Sequence, residues 1–110
     1  MQAKQIKRVI LPSRDLYRCA VDLFGPTHQK VIAMEEMSEL TKELSKSIRG
    51  AKNIEAVVEE IADVEIMLAQ LKVIFDCHAA VDGVKSEKLR KLKRTILAEK
   101  LCLEVGGTKI

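Results

Sequence analysis

Glu35, Glu36 and Glu39 stand in the segment EEMSEL. Glu59, Glu60 and Asp63 stand in EEIADV, twenty-four residues further on. Both segments read acid, acid, apolar, small, acid, apolar. Residues three apart share one face of a helix. Glu36 with Glu39, and Glu60 with Asp63, therefore set two carboxylates each at the edge of an apolar stripe. The pairs Glu35/Glu39, Glu39/Glu43 and Glu59/Asp63 are like charges at i,i+4, each unfavourable by roughly 0.2–0.5 kcal/mol. Lys42 and Lys46 relieve part of this. A plain solvated face would carry the repulsion for nothing, whereas a cation among the carboxylates removes it.

The ligand types select the cation. Oxygen donors alone suit Mg²⁺ or Mn²⁺. Di-iron sites in helical bundles use Glu-x-x-His pairs. Here Glu39 and Asp63 occupy those fourth positions, and His28 and His78 lie outside both segments, which argues against zinc or iron. Mg²⁺ keeps waters and shares its shell with substrate phosphates, so the expected substrate is phosphorylated.

Helices must position these groups. Met37, Leu40, Leu44 and Ile48 recur at helical spacing, as do Ile54, Val57, Val58, Ile61, Val64, Leu68, Leu71 and Phe75, and then Leu89, Leu92, Ile96 and Leu103. Ser13 is the expected N-cap of a first short helix, which Gly25-Pro26 closes. Thr27 is the expected cap of a second helix running to about Ile48 and stopping at Gly50. Asn53 is the expected cap of a third, reaching Phe75. Asp82-Gly83 reads as a turn, with Ser86 capping a last helix to about Glu104 before Gly106-Gly107. The segment IKRVIL could be extended or helical. Met34, Met37 and Met67 read as core filler, and Cys77-His78 as packing at a helix end. The fold class is all-α, in a single domain of 110 residues. If the second and third helices pack antiparallel through a short loop, Glu36, Glu39, Glu60 and Asp63 converge.

Composition agrees. The sequence is 47% apolar and 32% charged, which is globular, and only 3% aromatic, which favours an aliphatic helical core. No apolar run approaches the ~20 residues that span a bilayer, and the start shows no signal-peptide pattern. Cys19, Cys77 and Cys102 are odd in number and widely spaced. A reduced, cytoplasmic protein without membrane contact is expected.

The form E-E-x-x-E, a spacer, then E-x-x-D resembles the signature of the MazG-like, all-α nucleoside triphosphate pyrophosphohydrolases. The resemblance runs from about Gln29 to Arg94. It includes the Gln ahead of the first motif, the EEIADVEIMLAQLK helix and the basic segment EKLRKLKR. It implies a four-helix bundle of the small single-domain kind, with its core motif region at 27–96, completed by association into a homodimer or homotetramer. It also implies cleavage of a nucleoside triphosphate between the α and β phosphates. Carried over, Glu36, Glu39, Glu60 and Asp63 hold Mg²⁺, and Glu35 orients water or supports a ligand. The catalytic base is Glu35, Glu39 or another carboxylate.

Lys85, Lys88, Arg90, Lys91, Lys93 and Arg94 crowd one stretch. Lys88 and Lys91 share a face and are the expected phosphate contacts. Nucleic acid is not the expected partner: Tyr17, Phe24 and Phe75 are the only rings for stacking beyond the two histidines, and the net charge is only +3. Relatives often show an Asn near Leu92, so this chain departs from the family there. His28, Gln29, Tyr17 and Phe24 are candidates to line a base pocket, although a capping or surface role is the plainer reading of His28. Two further readings stand beside the first. One is phosphoribosyl-ATP pyrophosphohydrolase, whose acidic helical pattern is related. The other is a non-catalytic helical dimerisation or regulatory module, which predicts metal-independent stability and no turnover.

Overall fold

A computed structural model describes residues 13–104. Among them the chain is entirely helical: α1 (Ser13–Phe24), α2 (Pro26–Ile48), α3 (Ile54–Phe75) and α4 (His78–Glu104). The chain divides into two compact units at the Asp76–Cys77 junction. The first holds α1 to α3, with α2 against α3 as its main contact and α1 laid on both. The second holds α4.

Glycine sets the breaks in the first unit. Gly25 (φ 93°) ends α1, and its N–H donates to the Val21 carbonyl at 2.8 Å. The next residue, Pro26, opens α2, where its missing N–H and preset φ suit a first helical position. Thr27 therefore lies inside the helix and does not cap it. Gly50 (φ 93°) ends α2: its N–H meets the Ser47 carbonyl at 2.9 Å, and the Ala51 N–H meets that of Lys46 at 3.0 Å. This is a Schellman closure, which needs a left-handed residue at that point. Asp76, at φ 49° and ψ 51°, ends α3 in the same region, which Asp tolerates better than most side chains.

Four expectations about caps and turns are corrected, among them Ser86, which lies inside the last helix and does not cap it. Thr27 is another, as above. Asn53 makes no side-chain cap on α3; its Nδ2 instead donates to Glu43. Asp82-Gly83 is no turn: α4 starts at His78 and runs through both. Glycine in a helix interior is unfavourable by only about 1 kcal/mol, which 27 residues of helix outweigh. The Ser13 side chain, IKRVIL and Gly106-Gly107 lie outside the described residues.

The core of the described residues is small. Val21, Ala33, Met67 and Val73 are the buried apolar side chains. Met67 fills space as expected, but Met34 and Met37 are exposed. So are Ile54, Val58, Ile61, Leu68 and Phe75 of the α3 stripe, and Leu89, Leu92, Ile96 and Leu103 of α4. Helix α3 is apolar on more than one side, and packing against α1 and α2 covers only the side carrying Met67, Gln70 and Val73. No residue of α4 is buried. Cys19, Cys77 and Cys102 are free thiols. No helix of the described residues is long and apolar enough to cross a membrane.

Candidate metal centre

The second and third helices run antiparallel. Asn53, just before α3, meets Glu43 near the end of α2, and Gln70 near the end of α3 meets Gln29 near the start of α2. Pairing thus advances along one helix as it retreats along the other. Midway between those contacts, both acidic segments face the seam.

There Glu36, Glu60 and Asp63 each offer a carboxylate oxygen, and these oxygens all lie within 4.8 Å of one another. All three side chains are half-buried. Burial raises the Glu36 carboxyl above its ordinary value, and the charges of Asp63 and Glu60, a hydrogen bond with Asp63 and the charge of Glu39 raise it further. Glu60 is raised by burial first, then by Asp63, Glu39, Glu59 and Glu43. Its Oε2 is buried with no hydrogen-bond partner. A buried carboxylate oxygen without a donor is unfavourable. A cation shared with Glu36 and Asp63 would satisfy it and quench the mutual repulsion. The donor set, oxygen only and three carboxylates, fits Mg²⁺ or Mn²⁺.

Of the four expected ligands, Glu36, Glu60 and Asp63 come together. Glu39 is exposed at the rim, close enough for its charge to act on both Glu36 and Glu60. Glu35 is exposed.

Toward the start of α2, the Phe24 and His28 rings lie in tilted contact, centroids 6.0 Å apart and planes 34° from parallel. His28 Nδ1 lies 2.7 Å from Gln29 Oε1. An amide oxygen only accepts, so Nδ1 carries the proton there. The Gln29 Nε2 donates to Gln70 Oε1 at 2.8 Å, and Gln70 Nε2 points to the Met67 sulfur at 3.5 Å. Gln29, read from sequence as a pocket residue, is therefore buried with both amide atoms engaged. Lys88 and Lys91 are exposed on α4, one turn apart.

Sequence reasoning did not single out Asn53 as a partner of Glu43, nor Gln70. Glu43 is buried, its carboxylate accepting from Asn53 Nδ2 at 2.8 Å and from Lys46 Nζ at 3.1 Å. These bonds hold its pKa below the ordinary value. One signal was legible: Gln29, Glu36 and Glu43 are seven apart, so all three face the same way on α2.

No family model, curated protein or solved structure matches the chain.

Proposed function

We propose that the chain is a Mg²⁺-dependent nucleoside triphosphate pyrophosphohydrolase, cleaving between the α and β phosphates to leave a monophosphate and pyrophosphate. The observation that carries this reading is the orphaned Glu60 oxygen beside Glu36 and Asp63. Three half-buried carboxylates stand close enough to share one cation, which would quench their mutual repulsion.

When bound, Mg²⁺ or Mn²⁺ would neutralise phosphate charge and make a water more acidic. Glu36, Glu60 and Asp63 would hold the ion, with Glu39 joining from the rim. Glu35 or Glu39 would take the proton of the water that attacks the α phosphorus, while the bond to the bridging oxygen breaks and pyrophosphate leaves. The Phe24–His28 pair would stack on the base.

The same proposal treats the chain as one catalytic domain, working in the cytoplasm as a homodimer or homotetramer whose helical bundle is completed by a second copy. The support for association is the exposed apolar series Leu23, Ile48, Ile54 and Phe75. The deciding experiment measures pyrophosphate released from a panel of ribo- and deoxyribonucleoside triphosphates, with and without Mg²⁺. Release only with Mg²⁺ is expected. Silence across the panel, with turnover of phosphoribosyl-ATP, would move the assignment to that substrate. Silence on both, from folded protein, would overturn catalysis.

A further inference from the structure

We infer that two polar ties across the α2–α3 seam, Gln29–Gln70 and Glu43–Asn53, are positioning devices for the carboxylate centre. They hold the helices in the one register that brings Glu36 against Glu60 and Asp63. This rests on the metal centre proposed above.

The ties bracket the centre symmetrically. Gln29 lies seven residues before Glu36 and Glu43 seven after, about 10 Å along the axis in each direction. On the facing side, Asn53 precedes Glu60 by seven, and Gln70 follows Asp63 by seven. Gln29, Glu43 and Gln70 are the buried polar or charged residues of the described chain. Each is satisfied by a partner across the seam: Gln29 Nε2 to Gln70 Oε1 at 2.8 Å, and Asn53 Nδ2 to Glu43 Oε1 at 2.8 Å and to the Glu43 carbonyl at 2.9 Å.

The apolar contacts alone specify register poorly. The seam's buried apolar residues are a small one, Ala33, and a flexible one, Met67, with Val73. A slip of one helical turn, about 5.4 Å, would keep much of that burial. It would leave the Gln29 Nε2 buried without its acceptor and strip Glu43 of Asn53, leaving it Lys46 alone, a loss that buried polar groups resist far more than apolar ones. It would also draw Glu36 away from Asp63. A single buried polar residue is known to set register in paired helices; here two pairs do so, on either side of the charged cluster. Gln29 thus acts on the centre through the helix and not by touching substrate.

The test separates stability from positioning. In the double variant Gln29→Leu/Gln70→Leu, both partners become apolar, so the thermal midpoint should hold or rise. Its affinity for Mn²⁺, measured by titration of the metal alone, should fall about 10-fold, as for other groups that orient ligands. Asn53→Ala, outside the core and at the other tie, should weaken Mn²⁺ binding likewise, and decides the matter should the double variant not fold. Wild-type Mn²⁺ affinity in a folded variant overturns the positioning role. A wild type that binds no Mn²⁺ overturns both this role and the metal-dependent activity. Mn²⁺ binding without pyrophosphate release overturns the activity alone, and the variants still decide the positioning role.

Discussion

Asn53 and Glu43 meet twice: one amide nitrogen of Asn53 reaches both the Glu43 carbonyl, at 2.9 Å, and the Glu43 carboxylate, at 2.8 Å. Asn53 sits where a helix cap is expected, yet it serves the end of the preceding helix. The two roles respond differently to one substitution. Asn53→Asp would preserve a cap, since Asp caps as well as Asn. It would destroy this contact and set one carboxylate against another. The thermal midpoint of Asn53→Asp should therefore fall below that of Asn53→Ala. Equal or higher stability for the Asp variant would restore the capping role.

Removing a ligand should abolish activity without unfolding the chain. Glu60→Gln and Asp63→Asn each take a negative charge from a cluster that repels itself. The metal-free thermal midpoint should hold or rise in both, while Mg²⁺-dependent pyrophosphate release falls by more than about 100-fold. Wild-type turnover in either variant would refute the ligand assignment.

Metal should stabilise the protein by mass action. At a hundred-fold excess over its dissociation constant, one bound ion adds about 2.7 kcal/mol. Differential scanning calorimetry with and without Mn²⁺ should show this as a higher midpoint in the wild type and no change in Glu60→Gln.

Stability of the metal-free protein should fall as pH rises above the ordinary carboxylate value of 4.5. Glu36 and Glu60 have raised pKa values in the fold, so the native state binds more protons than the unfolded chain above that pH, and each proton lost is lost at the expense of the fold. Glu43 works in the opposite sense. Its lowered pKa supplies stability that is present above 4.5 and lost as pH falls through its folded value. The thermal midpoint should thus pass through a maximum near the ordinary value, and Mn²⁺ should flatten the decline above it. A midpoint that climbs steadily from pH 4.5 to 7 without metal would contradict the raised values.

Gly83 sits inside α4, with nothing within 4 Å of where a Cβ would stand. Gly83→Ala should stabilise that helix by about 1 kcal/mol and raise helicity by circular dichroism. A loss of helicity would mean that Asp82-Gly83 is a turn after all.

The helices themselves were written in the sequence. Gly25-Pro26 and Gly50 are local signals, since only a residue that accepts positive φ can end α1 and α2 as they end. The convergence of two acidic segments followed from spacing and a short connection, because helical periodicity fixes which residues share a face. Asp82-Gly83 misled because local turn propensity was outweighed by a long continuous helix.

What only the tertiary structure decided is the seam. Helix α3 is apolar on several sides, and periodicity cannot say which side a neighbour will cover; contact with α1 and α2 chose that of Met67, Gln70 and Val73. The same contact chose Gln70 and Asn53 as partners for Gln29 and Glu43, residues 41 and 10 positions apart. It drew Glu36, Glu60 and Asp63 together while leaving Glu39 at the rim. A polar residue on a helix looks the same in sequence whether water or a partner satisfies it. Burial, which belongs to the whole fold, makes the difference.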